Sequence, residues 1–66
     1  LQRCIDQLPQ GYRTILILRD IEEIDTEQAA QLLELSVGAA KVRLHRARTR
    51  LKEKMETHFA EEVRNL

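Results

Sequence analysis

The sequence predicts an all-α fold, a four-helix domain that contains a helix-turn-helix, with a long basic recognition helix. The chain has 66 residues, which allows one domain at most, expected over 1–66. So short a chain buries only about 60% of the surface that it exposes when unfolded, and its stability is therefore expected to be marginal. Its apolar residues are mainly Leu, Ile, Val and Ala, with Tyr12 and Phe59 as the only aromatics, which suits closely packed helices. Apolar residues also recur at steps of three and four from Val37 to Met55, the period of an amphipathic helix.

Pro9 separates the first two predicted helices. Leu1, Ile5 and Leu8 recur at helical spacing, and Pro9 ends this short helix because the residue before a proline avoids the helical region. Pro9 also suits the first position of a second helix, expected to end near Asp20, where its missing N–H costs nothing. The apolar side chains of the second helix cover more than one face, so it is either central to the core, which we favour, or has an outside partner. They are Tyr12, Ile15, Leu16, Ile17 and Leu18.

Capping residues mark the starts of the third and fourth helices. Asp25 or Thr26 can accept a hydrogen bond from the free N–H groups of a helix that begins near Glu27. A tight connection then leads to Ser36, a good N-cap for the fourth helix. The helix-turn-helix unit is therefore expected over about 26–54.

The fourth helix has the clearest period in the sequence. One stripe is apolar and is predicted to face the core, while the opposite side is basic and polar at about 100° per residue. Beyond Met55 the pattern weakens, and 57–66 is expected to continue or fray as helix. The predicted core stripe comprises Val37, Ala40, Leu44, Ala47, Leu51 and Met55. The opposite side carries Gly38, Lys41, Val42, His45, Arg46, Thr49 and Lys52.

The charges balance overall but separate along the chain. The formal net charge is zero, yet 41–54 holds seven Lys or Arg and one acid, whereas 20–34 holds six acids and no base. A basic segment on a balanced chain indicates a local contact with a polyanion. The bland alternative is a solvated amphipathic helix, but such a helix usually has acids interspersed at i, i+4, and 41–52 has none.

A short helix followed by a longer helix with a basic exposed side fits the DNA major groove, which is about 12 Å wide. Residues in the early turns of the second helix reach the base edges, and flanking basic groups contact phosphates, which position the protein without specifying sequence. The predicted base-reading residues are Lys41, Val42, His45 and Arg46. The predicted phosphate contacts are Ser36, Arg43, Arg48 and Arg50.

The remaining reactive side chains predict neither catalysis nor a metal site. Cys4 is interpreted as a small buried hydrophobe, and His45 and His58 are too far apart to share a metal on one helix, so His58 is expected on the surface. No apolar run approaches the roughly 18 residues that span a bilayer, and neither a signal peptide nor a disulfide is predicted, so the chain is expected to be cytoplasmic. Because it begins at Leu1, the chain is interpreted as a fragment of a longer protein.

A set of short motifs runs through about 1–54. They are Leu8-Pro9, Tyr12-Arg13, Leu18-Arg19-Asp20, Glu27, Ala30, Leu33, Ser36-Val37-Gly38, Lys41, Arg43-Leu44-His45-Arg46-Ala47-Arg48 and Leu51. Together they resemble region 4 of bacterial RNA polymerase sigma factors of the extracytoplasmic function group. The most specific part of the resemblance is the block that follows Ser36-Val37-Gly38.

This resemblance implies a non-enzymatic specificity domain without cofactors, acting in the bacterial cytoplasm. It implies docking on the β flap of the RNA polymerase core and reading of double-stranded promoter DNA at the minus-35 element as a monomer. It gives the same base-facing positions as the groove argument, and it places Ser36, Arg43 and Arg48, but not Arg50, near phosphates. It also implies an anti-sigma factor that covers apolar surface, here assigned to Tyr12, Leu16 and Ile17.

Four positions depart from the usual pattern of this family: Glu34 stands for a frequent Gly, Ala39 for Thr, Ala40 for Val and Val42 for Ser. A non-Gly residue at Glu34 strains the turn if φ is positive there, and Ala39 lacks a hydroxyl that could bind phosphate. Two alternatives stay open. One is the output domain of a response-regulator-type transcription factor, which would pair on two half-sites, and the other is a helical protein-interaction module.

Overall fold

The computed structural model describes residues 2–66, with the side chain of Gln2 left aside, and Leu1 of the predicted first helix lies outside the described residues. Within 2–66 the chain forms four α-helices and one π-helical segment, with no strand. The all-α prediction is confirmed. The elements are α1 (Gln2–Asp6), α2 (Gln10–Leu16), the π-helical segment Ile17–Ile21, α3 (Thr26–Leu32) and α4 (Val37–Arg64).

The first turn of α2 follows Pro9, which is its N-cap, with φ −54° and ψ 148°. Its carbonyl accepts hydrogen bonds from the backbone N–H groups of Tyr12 and Arg13, both at 3.0 Å. Proline is therefore one position earlier than predicted, outside the helix instead of at its first residue. After Leu16 the helix widens into the π-helical segment, where the N–H of Glu22 donates to the carbonyl of Ile17.

Side-chain caps start α3 and α4 as predicted. Asp25 accepts from the backbone N–H of Gln28 at 2.8 Å, and Ser36 accepts from that of Ala39 at 3.1 Å. Each cap satisfies one of the N–H groups that a helix start leaves free. Asp25 caps the start of α3 and Ser36 caps the start of α4. The predicted helix-turn-helix is present, with α3 and α4 as its two members.

The turn between α3 and α4 ends α3 in a Schellman motif. The N–H of Leu35 donates to the carbonyl of Ala30 at 2.8 Å, and that of Glu34 donates to Gln31 at 3.2 Å. This arrangement requires a left-handed residue, and Glu34 has φ 57°. The condition stated from the sequence for strain at Glu34, a positive φ, is therefore met, at a position where glycine has no steric penalty.

The core lies where α2 packs against α4, with α3 covering a second side and α1 a third. Ile15 and Leu16 are the largest fully buried side chains, and Ala40 and Ala47 of α4 are completely buried against them. Small residues at this contact bring the two helix axes close together. Helix α2 is therefore the central helix of the core, as favoured from the sequence.

The apolar stripe of α4 is buried only in its middle. Ala40, Leu44 and Ala47 are buried, whereas Val37 and Met55 are 39% and 44% exposed, so their assignment to the core was wrong. The reason is length: α4 has 28 residues, about 42 Å at 1.5 Å per residue, while α2 has 7. Its neighbours are too short to cover both ends, and from residue 52 onward every residue of α4 is exposed.

Replacing Glu34 by glycine is expected to raise the free energy of unfolding by about 0.5 to 1 kcal/mol. Glycine removes the steric cost of positive φ, which outweighs its greater entropy loss on folding at this position. Urea unfolding followed by circular dichroism would measure the change. Glu34→Ala is the matched control, because it removes the carboxylate but keeps the Cβ, and it should not stabilise. Equal stabilisation by both variants would show that the charge, not the backbone, disfavours Glu34.

Candidate nucleic-acid interface

The four predicted base-reading side chains lie together on the first turns of α4. Lys41, Val42, His45 and Arg46 are all exposed, because the buried residues Ala40, Leu44 and Ala47 turn the opposite side of the helix to α2 and α3. Within residues 2–66 none of the four side chains is held by an intramolecular hydrogen bond or ion pair. The structure thus leaves them available to a ligand at one face of the domain.

The four predicted phosphate-contacting residues differ in their exposure and in the contacts that they already make. Ser36 is exposed, and its hydroxyl oxygen already accepts from the N–H of Ala39, which leaves the hydroxyl hydrogen to donate. Arg43 is half-buried, with its guanidinium over Gly11 of α2, where an added Cβ would lie 3.5 Å from Nη1. Arg50 is exposed near the base-reading residues.

Arg48 points away from this face and forms a bidentate ion pair with Asp20 in the π-helical segment. Its Nε donates to Oδ2 at 3.1 Å, and its Nη2 donates to Oδ1. This hydrogen bonding lowers the pKa of Asp20 below its ordinary value, although partial burial opposes the shift, and it raises the pKa of Arg48. Of the predicted phosphate contacts, Arg48 is therefore the one whose guanidinium is already engaged.

Two shallow clefts flank the ridge where α2 meets the start of α4. One has a volume of about 470 Å³ and the other about 410 Å³. Tyr12 and Arg46 line both clefts. The first cleft is completed by Gly38, Ala39, Val42 and Arg43, and the second by His45, Thr49 and Arg50. The clefts therefore run along the face that carries the base-reading side chains, and no acidic residue lines either one.

The predicted partner surface needs a correction. Leu16 is 1% exposed and belongs to the core, so its side chain is not available to a partner in the folded domain. Tyr12 and Ile17 are half-buried. Sequence periodicity missed this because α2 is apolar on several sides, and only the packing of α4 shows which of its side chains are enclosed.

Other side chains agree with their predicted structural roles. Cys4 is 5% exposed, a small buried hydrophobe as interpreted. His58 is a surface residue that contacts Glu62 one turn away, with 3.0 Å between Nε2 and Oε1. Among residues 2–66, no group of three His, Cys, Asp or Glu side chains could hold a metal ion. No helix in the described part of the chain has the length and apolar character to span a membrane.

Arg19 holds the loop that precedes α3, a role that the sequence did not indicate. Its Nη1 donates to the carbonyl of Ile24 at 2.8 Å, across a turn in which Glu23 has φ 59°. The Nε of Arg19 is buried without a hydrogen-bond partner among the described atoms. The backbone N–H of Ile24 also donates to the carbonyl of Leu18 at 2.9 Å, so the side chain of Arg19 and the backbone together close the loop between the π-helical segment and α3.

Comparison with known proteins gives one consistent family. A family model described as "Sigma-70, region 4" matches residues 1–51. The relatives include the "ECF RNA polymerase sigma factor SigW" of Bacillus subtilis, 34% identical over 83% of this chain and 29% of its own length. They also include the "ECF RNA polymerase sigma factor SigE" of Mycolicibacterium smegmatis, 33% identical over 92% of this chain and 24% of its own length. The "RNA polymerase sigma factor SigV" of Bacillus subtilis is 38% identical over 71% of this chain and 28% of its own length.

The chain thus spans about a quarter to a third of the length of the curated relatives it matches. No solved structure matches the chain.

Replacing Asp20 by asparagine is expected to lower the free energy of unfolding at pH 7, by less than about 1 kcal/mol because the ion pair is substantially exposed. The carboxyl pKa is lowered in the folded state, so its contribution is complete above the ordinary pKa of about 3.9 and is lost as pH falls through the folded value. Urea unfolding between pH 7 and pH 3 should therefore show the difference between wild type and D20N shrinking at the acid end.

The exposed Glu22, which directly follows the π-helical segment, provides the control, and Glu22→Gln should change stability at pH 7 much less than D20N. A D20N deficit that stayed constant down to pH 3 would show that ionisation of Asp20 does not stabilise the fold.

Proposed function

The chain belongs to the sigma-70 region 4 family of extracytoplasmic function sigma factors, a family of DNA-binding domains and not of enzymes, and on this premise we propose that it reads the minus-35 element of a promoter. The proposal makes α4 the helix that enters the major groove. It makes α3 the helix that lies across the phosphate backbone, as in other helix-turn-helix proteins.

The single observation that carries the proposal is the set of four free side chains on the first turns of α4. Lys41 and Arg46 can donate to guanine O6 and N7, Val42 can contact a thymine methyl, and His45 can hydrogen-bond a base edge. All four are exposed and unengaged within residues 2–66. A solvated surface helix would place acids among these residues, and the nearest acid along α4 is Glu53.

Phosphate contacts are proposed for Ser36, Arg43 and Arg50, which surround the base-reading residues. Arg43 is already ordered over Gly11, so less conformational entropy is lost when it binds. We propose that Arg48 contacts a phosphate only after its ion pair with Asp20 breaks. This requirement makes the bond to Asp20 a competitor of DNA, so Arg48 should contribute least of the four.

The same premise supports the RNA polymerase core as a partner, since the relatives are RNA polymerase sigma factors by name. We propose docking on the β flap, control by an anti-sigma factor, and action as a monomer in the bacterial cytoplasm. Exposed apolar side chains outside the DNA-facing side are available for such contacts. They include Ile21, Leu32, Met55 and Phe59.

Selection of bound duplexes from a random pool at about 50 mM salt, where phosphate contacts are strong, tests the proposal. We expect one compact motif of about five to seven base pairs, the reach of one helix in one groove. Arg46→Ala should cost about 1 to 3 kcal/mol on that motif and relax preference at one base pair. Enrichment of paired half-sites bound by a protein dimer would contradict the proposal, as would binding without enrichment.

Arg50→Ala is the matched control for Arg46→Ala, because both remove one guanidinium from the same helix. It should weaken all duplexes alike and reduce the slope of log K against log salt by about 1. Equal effects of the two substitutions on every sequence would show that Arg46 does not read a base.

Replacing Ser36 by aspartate separates its two proposed roles. Aspartate is an equally good N-cap and is favoured by the helix dipole, so the free energy of unfolding should change by less than about 0.5 kcal/mol. A carboxylate facing phosphate should weaken binding to every duplex by about 1 kcal/mol, roughly fivefold. Fluorescence anisotropy would measure binding, with Ser36→Thr as the control that keeps both the hydroxyl and the cap. Unchanged affinity in Ser36→Asp would place Ser36 away from the DNA backbone.

A further inference from the structure

Tyr12 is the one aromatic side chain on the DNA-facing side, and it comes from α2, outside the helix-turn-helix pair. It is half-buried and packs against the core cluster that includes Ile15, Leu16 and Ala40. A ring held in this way loses little further freedom when a ligand binds. Its exposed part is therefore a preordered feature of the surface.

The position of Tyr12 relative to α4 is set by the two clefts. Tyr12 and Arg46 are the residues that both clefts share, so the tyrosine stands on the ridge between Val42 on one side and His45 on the other. When those side chains point into a major groove, a residue on the adjoining ridge faces the sugar-phosphate strand that borders the groove. Tyrosine hydroxyls are among the groups that donate to phosphate oxygens.

The chemistry of the surroundings favours an anionic strand. The two clefts contain Arg43, Arg46, Arg50 and His45 but no acid. By contrast, the cleft between α1 and α4 mixes basic residues with Glu53 and Glu61. The two clefts beside Tyr12 thus combine a hydroxyl-bearing ring that packs on the core with a lining that has basic residues and no acid.

We infer that Tyr12 is a DNA backbone contact: its ring rests on the core, and its hydroxyl donates a hydrogen bond to a phosphate oxygen beside the groove that α4 enters. The inference rests on the proposed DNA-binding function and extends the interface beyond α3 and α4 to α2. It also assigns Tyr12 a use different from the anti-sigma contact expected from the sequence. The contact fixes the position of α4 without reading sequence.

Tyr12→Phe tests the inference, because it removes the hydroxyl and keeps the ring on the core. The probe is a fluorescent duplex of arbitrary sequence, about 20 base pairs long, at about 50 mM salt, since phosphate contacts do not depend on sequence. We expect affinity to fall about three- to tenfold. The salt slope should stay unchanged, because a neutral hydroxyl displaces no counterion. Any motif selected by the wild-type chain should be selected unchanged by the variant.

The matched control is Thr14→Val, which removes another half-buried hydroxyl from α2, about 200° around the helix from Tyr12. It should bind duplexes as the wild type does, and circular dichroism should show both variants folded. Methylphosphonate substitution, one phosphate at a time, should locate a position at which wild type and Tyr12→Phe bind equally well.

Three outcomes would overturn the inference. Tyr12→Phe could bind as tightly as wild type, it could lose preference at one base pair, or no phosphate position could remove the difference between the two proteins. Failure of the proposed function looks different. If the wild-type chain binds no duplex, the proposed function and this inference both fail. If it binds without selecting a motif, the proposed function fails, but Tyr12→Phe still binds the arbitrary duplex more weakly than wild type.

Discussion

The contact between α2 and the middle of α4 is the constraint on which the rest of the structure depends. Ile15 and Leu16 pack against a strip of α4 in which Ala40 and Ala47 are fully buried. Because alanine has no side chain beyond Cβ, the two helices approach closely, and this contact contains the two largest fully buried side chains, Ile15 and Leu16. Burial of this strip fixes the rotation of α4, and that rotation alone decides which residues face outward.

Signals within a few residues predicted most of the fold, but they did not predict contacts between residues that are far apart in the sequence. The caps at Asp25 and Ser36 are each determined within a few residues, so sequence was sufficient to find them, and it raised a left-handed Glu34 only as a condition. The ion pair of Asp20 with Arg48 joins residues 28 positions apart, and no pattern along the chain indicates it. The fold class and the exposed face of α4 were therefore predictable, whereas the engagement of Arg48 was not.

Two assignments made from the period of apolar residues were wrong, for different reasons. Met55 was assigned to the core and is 44% exposed, which is an error of length. Leu16 was assigned to a partner surface and is 1% exposed, which is an error of direction, because α2 is apolar on several sides. A repeat shows which side of a helix is apolar, but the neighbouring helix determines how far along that side burial extends. Since α2 has 7 residues and α4 has 28, the apolar stripe continues well past its cover.

Some side chains of the proposed interface are free before DNA binds, and others are already packed in place. This difference affects how so small a domain could bind DNA. Immobilising a long side chain costs about 0.5 to 1.5 kcal/mol, and the exposed Lys41 and Arg46 carry that cost in full. Arg43, lying over Gly11, and Tyr12, packed on the core, are partly ordered before any ligand arrives. If the preordered residues contact phosphates, they can place the domain on the duplex first. The free residues are then immobilised only where the bases match, so the contacts to those bases must outweigh this entropy cost before they favour one sequence over another.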